Sequence, residues 1–168
     1  MNFRKTALAM AFIAFGGSIA SGQGTEVAFG GLQHDASLPV EIAADQLQID
    51  QTNGSAIFTG NVLIGQGEMR ISAGKVEVLY ATEDGSSTGK ITKLAATGGV
   101  TVVNGTEAAE SQRADYLVDE SAIVMTGDVI LTQGKNALSS DKMTINLDNG
   151  SAIMDGRVKT IFQTGDSE

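Results

Sequence analysis

Apolar and polar residues alternate along most of the chain from Val40 onward. Alternation with a period of two is typical of β-strands that bury one face against a core. No window shows the spacing of an amphipathic helix. The clearest runs are Leu47 and Ile49; Ala56, Phe58, Val62 and Ile64; Val76, Val78 and Tyr80; and Met143, Ile145 and Leu147. The pattern therefore predicts an all-β fold.

Three Asn-Gly pairs lie between these alternating runs, at residues 53–54, 104–105 and 149–150. Asn-Gly favours a type I′ hairpin turn, because both central residues of that turn have positive φ. Each pair also begins an Asn-x-Ser/Thr sequon, which would favour a glycosylated loop. Turn geometry alone accounts for the pairs, so we predict three β-hairpins.

A short internal repeat is the most specific feature of the sequence. Thr59-Gly60-Asn61-Val62 recurs at residues 97–100 and 126–129, and more loosely at 155–158. A longer match places Thr59–Gly67 over Thr126–Gly134. Repeats of this length indicate stacked supersecondary units, and a glycine within a strand marks a bend or bulge. The repeats therefore predict strand–Gly-x-Val–strand units in a curled, jellyroll-like antiparallel sheet.

The N-terminal segment has the features of a secretory signal peptide. Arg4 and Lys5 precede an apolar run, Ala7–Ala20, which ends in small residues. An uncleaved anchor is the alternative, but the run is shorter than the roughly 20 residues that a spanning helix needs. We predict a cleaved signal peptide at 1–22, a flexible leader at 23–38, one β-jellyroll domain at 39–163 and a disordered tail at 164–168.

Composition argues against several classes of function. The net charge of −9 does not suit nucleic-acid binding, which requires clustered lysine and arginine. The chain has no cysteine, and its single histidine, His34, falls in the predicted leader. A catalytic triad or a Cys/His metal site therefore has no candidates. The scattered acidic residues are interpreted as solvated turn residues, and we predict no enzymatic activity, cofactor or metal.

The alternating apolar residues have two interpretations. They fill a closed core, or they line a groove between two walls of the curled sheet. A groove would hold an acyl chain at about 0.8 kcal/mol for each buried methylene. Strand parity selects six residues for the core or groove without separating the two roles: Phe58, Val62, Ile64, Met125, Val129 and Leu131.

Several ordered segments resemble the LptA (OstA-like) family of periplasmic lipopolysaccharide-transport proteins. The resemblance covers about residues 39–147 and does not extend cleanly through residues 85–110. It rests on Pro39–Asp45, Phe58–Val62, Gln66-Gly67, Ile71–Val76, Tyr116, Thr126–Val129 and Lys142.

The resemblance implies a slightly twisted antiparallel β-jellyroll, open at both ends, that carries lipopolysaccharide towards the outer membrane. The acyl chains of lipid A would occupy its interior, in contact with Val40, Ile42, Tyr116 and Val118. Implied partners are the membrane-anchored LptC, the periplasmic domain of LptD, and further copies of the chain stacked head to tail.

Two other functions remain as alternatives from the residues alone. One is a secreted structural or adhesive β-repeat protein with a closed core. The other is a polysaccharide-degrading β-helix enzyme, which would require convergent acidic residues on a concave face and longer, more regular coils.

Overall fold

A computed structural model describes residues 25–28, 37–50 and 55–162. The predicted signal peptide, His34, the Asn53-Gly54 pair and the predicted tail lie outside the described residues. The strands are β1 (Thr25–Ala28), β2 (Glu41–Ala43), β3 (Gln46–Asp50), β4 (Ser55–Gln66), β5 (Met69–Glu83), β6 (Ser86–Asn104), β7 (Glu107–Leu117), β8 (Ala122–Gln133), β9 (Asn136–Asn146), β10 (Ser151–Asp155) and β11 (Lys159–Ile161).

All of these strands join one antiparallel sheet. Its order is β1-β10-β9-β8-β7-β6-β5-β4-β2, while β3 also pairs with β4 and β11 also pairs with β9. The long strands β4 to β9 follow one another as hairpins, so neighbours in sequence are neighbours in the sheet. The predicted all-β, open jellyroll is confirmed. Over the described ranges, no helix is long and apolar enough to cross a bilayer.

Each copy of the repeated tetrapeptide forms a corner, within a strand in the first three copies and between β10 and β11 in the fourth. The second and third residues of all four copies have positive φ, as in Gly60 at 80° and Asn61 at 44°. Backbone register shifts between the first and fourth residues of the copies in β4, β6 and β8. Glycine suits this position because positive φ is costly for residues with a Cβ atom. The predicted bends are confirmed at all four repeats.

The corners divide the sheet into two half-sheets. The half-sheet that we call upper contains β2, β11 and residues 62–73, 100–111 and 129–140. The half-sheet that we call lower contains β1, β3, β10 and residues 55–59, 75–97, 113–126 and 142–146. Strands run from one half-sheet into the other at the corners, and the curl of the sheet brings the inner faces of the two halves together.

One hydrogen bond demonstrates how far the strands fold back. Cross-strand pairing places Ala56 of β4 in the same row as Tyr116 of β7, through Val78 and Leu94. Gln66 lies further along β4, roughly 33 Å from Ala56 if the strand were straight. The Tyr116 hydroxyl nevertheless lies 3.1 Å from Gln66 Oε1. The two half-sheets therefore face each other across the interior.

The core fills the space between the half-sheets. Alternate residues of the long strands are buried, and those between them face solvent. The largest fully buried side chains are Ile64, Met69, Leu94, Tyr116, Ile123, Met125, Leu131, Met143, Ile145 and Leu147. Burial of one face follows the period-two pattern of the sequence.

A short strand lies within the segment 23–38 that the sequence predicts as a flexible leader. Residues 25–28 form β1, which pairs with β10 from Thr25 opposite Met154 to Ala28 opposite Ser151. A short strand adds readily at this position because the outer edge of β10 offers unpaired backbone N–H and C=O groups. The segment therefore extends the sheet beyond the predicted domain.

The two Asn-Gly pairs within the described residues join paired strands, but with a different turn geometry. At 104–105 the strand pairing runs up to Asn104 opposite Glu107, so the two turn residues are Gly105 and Thr106. Only Gly105 of these two has positive φ, at 56°, as in turns that place glycine first. The pair at 149–150 lies in a four-residue connection between Asn146 and Ser151. The predicted type I′ turn with Asn104 at its centre is wrong.

Candidate functional site

The structure places all ten predicted lining residues on the inner side of the jellyroll, in two groups. The first group is at most 2% exposed and belongs to the packed core: Val62, Ile64, Tyr116, Met125, Val129 and Leu131. The second group is half-buried and packs against that core: Val40, Ile42, Phe58 and Val118. The half-buried group is therefore the part of the predicted lining that lies nearest to solvent.

The apolar inner face continues into solvent at strand β3. Leu47 pairs with Phe58 and Ile49 pairs with Ala56, and cross-strand partners point to the same face of a sheet. Phe58 and Ala56 belong to the interior, yet Leu47 is 50% exposed and Ile49 is 65% exposed. We call Leu47, Ile49 and Phe58 the β3 mouth. The alternation of the sequence includes Leu47 and Ile49, but parity alone did not mark them as site residues.

A groove lies beside this end of the sheet, next to β2. Its volume is about 550 Å³, and Ile42, one of the predicted lining residues, borders it. The other lining residues are Leu38, Pro39, Glu41, Ala43, Leu63, Gly65, Gly67 and Arg70. The stretch from Pro39 to Ile42 therefore lies between the interior and an open surface.

Polar side chains occupy the inner face where the upper half-sheet ends in hairpin turns. Gln66, Glu107 and Gln133 are the terminal residues of their strands, and the first two are buried. Gln133 Nε2 donates to Glu107 Oε1 at 3.1 Å. This rim of the jellyroll is polar, in contrast to the apolar β3 mouth.

Gln66 links the rim to the opposite half-sheet. Its Oε1 accepts from the Tyr116 hydroxyl, and its Nε2 donates to the Leu38 carbonyl at 2.9 Å. Burial and the carboxylate of Asp148 raise the pKa of the Tyr116 phenol, while the hydrogen bond to Gln66 lowers it. The net direction is upward, so the phenol stays protonated and acts as a donor at neutral pH. The alternating pattern of the sequence did not predict Gln66 as a functional residue.

Side chains from neighbouring segments of the sheet lie against three of the four corners. Asn61 Nδ2 donates to Asp45 Oδ2 at 2.9 Å, and Gln112 Nε2 donates to Asp128 Oδ2 at 2.6 Å. Arg157 Nε donates to Asp141 Oδ1 at 2.9 Å. We call these three hydrogen bonds the corner clasps, and each joins a corner to the segment beside it.

The clasp between Asp141 and Arg157 is ionic. The hydrogen bond from Arg157 lowers the pKa of the Asp141 carboxyl, and the same bond raises the pKa of the guanidinium. Both groups are exposed to solvent, so the interaction is screened by water and salt. Its role is local, at the corner between β10 and β11.

Two kinds of comparison identify sequence relatives of this chain. The family model described as LptA/(LptD N-terminal domain) LPS transport protein matches residues 41–151. An uncharacterized protein of Rhizobium meliloti (strain 1021) is 32% identical over 149 residues, or 84% of this chain and 80% of that protein. The lipopolysaccharide export system protein LptA of Escherichia coli (strain K12) is 30% identical over 115 residues. That match covers 66% of this chain and 60% of LptA.

A solved structure has the same fold. It is the crystal structure of LptH from Pseudomonas aeruginosa, described as the LptA homologous periplasmic component of the lipopolysaccharide transport device. The TM-score is 0.67 at 15% sequence identity, over 77% of this chain and 99% of LptH. The predicted resemblance is confirmed by the match over residues 41–151: this chain belongs to the LptA/LptD N-terminal domain family of LPS transport proteins.

Proposed function

We propose that this protein is a periplasmic carrier of lipopolysaccharide that shields the acyl chains of lipid A inside its jellyroll between the inner and outer membranes. The observation that carries the proposal is the β3 mouth, where apolar inner-face residues run from the core into solvent. Exposed apolar residues that continue a buried core are typical of a surface that a ligand or partner covers. An acyl chain matches this surface in chemistry, because both are apolar.

Entry of a chain requires the half-sheets to part. Val62, Met125 and Leu131 are fully buried, so an acyl chain reaches them only by replacing contacts within the core. Each methylene that enters gains about 0.8 kcal/mol from burial, which offsets part of the lost packing. We infer that the half-buried residues Val40, Ile42, Phe58 and Val118 hold the chain first and that the core residues follow.

The ends of the sheet are the surfaces for assembly. At one end β2 and β3 are short edge strands, and at the other end β9 is the one partner of β11 among the described strands. Exposed edges pair with added strands. Ile161 of β11 is 66% exposed, which adds an apolar contact to that edge. We propose that these edges bind further copies head to tail, and also LptC and the periplasmic domain of LptD.

The proposed role is not enzymatic. A carrier needs an apolar interior and docking edges, and it makes and breaks no covalent bond. The second candidate is a structural or adhesive β-repeat protein with a closed core. Full burial of six of the ten predicted lining residues favours that alternative, so the decisive experiment asks whether lipid enters.

Site-specific photocrosslinking separates the two functions. A benzophenone amino acid is placed at Leu47 or Ile49 in the β3 mouth, and at Ile130 or Ile153 as matched exposed positions on the outer face. With purified lipopolysaccharide, we expect crosslinks from the mouth positions and few from the outer positions. Equal labelling at all four positions, or none, would refute the carrier and leave the closed-core alternative.

A further inference from the structure

Tyr116 and Gln66 form a buried polar contact where the polar rim of the jellyroll meets the apolar interior. Both residues are 2% exposed, and their hydrogen bond joins the lower half-sheet to the upper one. The neighbours of Tyr116 in its row are Leu94 and Ile123, both buried and apolar. A buried hydroxyl and a buried amide are stable there because each satisfies the other.

An acyl chain that separates the half-sheets at this position breaks the bond. A plain hydrocarbon offers neither a donor nor an acceptor, so the hydrogen bond between the Tyr116 hydroxyl and Gln66 Oε1 is lost without a replacement. A chain with a hydroxyl group at the same depth donates to Gln66 and accepts from Tyr116. It therefore replaces one hydrogen bond with two.

We propose that the Tyr116–Gln66 pair is a specificity-determining element that selects hydroxylated acyl chains over plain ones of the same length. The inference deepens the proposed carrier function and rests on it. It assigns these two residues a role in choosing the lipid, in addition to their part in holding the closed fold.

The position of the pair indicates which part of the chain carries the hydroxyl. Gln66 Nε2 donates to the carbonyl of Leu38, whose side chain is exposed, and Gly67 begins the surface turn that follows. The pair thus lies just beneath the protein surface. A chain whose head group stays in water places the carbons nearest that head group at this depth. The selected hydroxyl is therefore close to the head group.

The test compares two probes, tetradecanoate and 3-hydroxytetradecanoate, bound to the full mature protein and measured by calorimetry. Both probes have the same carboxylate and the same length. We expect the wild-type protein to bind the hydroxylated probe about tenfold more tightly, the scale of one net hydrogen bond. Tyr116→Phe should reduce the preference, because one of the two new bonds is lost.

The double variant Tyr116→Phe with Gln66→Leu should bind the two probes within about twofold of each other, since neither polar partner remains. Its affinity for tetradecanoate should exceed that of the wild type, a gain that a merely structural role would not produce. Tyr80→Phe is the matched control. It removes the phenolic hydroxyl of a different tyrosine, on β5, and it should retain the wild-type preference. Thermal melts establish that each variant is folded.

Three results would overturn the inference. Equal binding of both probes to the wild type, or an unchanged preference in the double variant, would refute the selective role and leave the carrier function intact. Failure of the wild type to bind either probe, together with the absence of lipopolysaccharide crosslinks from the β3 mouth, would refute both proposals.

Discussion

The hydroxyl of Tyr116 donates to Gln66 Oε1 over 3.1 Å, although the two residues are 50 positions apart in the sequence. They lie on β7 and β4, which are not neighbours in the sheet. The contact exists because each long strand bends at a corner and returns over the interior. The corners therefore determine which residues of the two half-sheets face each other. They also determine how far apart the half-sheets lie.

The first prediction concerns the rigidity of the corners. Gly60→Ala should lower the free energy of unfolding by about 2–3 kcal/mol, combining positive-φ strain with loss of a hydrogen bond. A Cβ atom at Gly60, where φ is 80°, would lie 2.5 Å from Asp45 Oδ2 and displace the side chain that Asn61 binds. Urea denaturation measures the change.

Gly99→Ala is the matched control for that substitution. Gly99 has φ of 78°, but a Cβ atom there meets nothing within 4 Å. We expect a loss of about 1–2 kcal/mol from backbone strain alone. Equal losses in the two variants would show that the corner clasp between Asp45 and Asn61 contributes nothing to stability.

The second prediction tests the interior as the lipid site. Val118→Asp introduces a charge on a half-buried inner position that packs against the core, so it should abolish capture of lipopolysaccharide. The expected cost in stability is about 1–3 kcal/mol. Ile130→Asp changes an exposed outer-face residue and should leave capture intact. Lipid capture that survives Val118→Asp in a folded protein would place the groove elsewhere.

The strand pattern and the corners were predictable from sequence because each has a local signature. Alternation gives the buried face of β4, β5 and β9, and the repeated Thr-Gly-x-Val gives the bends. The longer match of Thr59–Gly67 with Thr126–Gly134 also has a structural counterpart. Gly67 and Gly134 each have positive φ and begin a two-residue turn between paired residues.

The residues that face the corners were not predictable in the same way. Four residues lie against the corner glycines at equivalent places: Asp45, Gly74, Gln112 and Asp141 face Gly60, Gly98, Gly127 and Gly156 respectively. Only Asp45 and Asp141 are of the same residue type, so these positions form no repeat like that of the glycines. A Cβ atom at Gly74 would lie 3.1 Å from the Gly98 carbonyl oxygen, so glycine suits both sides of that corner.

The Tyr116–Gln66 contact could not be predicted from the sequence, because it depends on how the sheet curls. Parity assigns both side chains to the buried face, yet it does not say which strand lies opposite across the curled sheet. The prediction of the turn type at Asn104 was wrong for a related reason. Asn-Gly predicts a hairpin, but the cross-strand pairing of Asn104 with Glu107 moved the turn by one residue.

The third prediction concerns the ionic corner clasp. Arg157 lowers the pKa of Asp141 in the folded state, so the bond stabilises the fold above the ordinary carboxyl pKa of 3.8. That stabilisation is lost as the pH falls through the lowered value. In NMR titration, Arg157→Gln should raise the Asp141 pKa towards 3.8. Lys90→Gln, which breaks the separate pair with Asp119, should leave the Asp141 titration unchanged. An unshifted Asp141 in Arg157→Gln would contradict the assignment.

The last prediction tests end-to-end assembly through β11. Ile161 is exposed on β11, whose one partner among the described strands is β9, so Ile161→Lys places a charge at an edge of the described sheet. Lysine at an edge opposes strand addition because pairing would desolvate its ammonium group. We expect the weight-average mass in analytical ultracentrifugation to stop rising with concentration, while lipopolysaccharide binding persists. Ile153→Lys is the control, since β10 is already paired with β1. Unchanged self-association of Ile161→Lys would assign stacking to another surface.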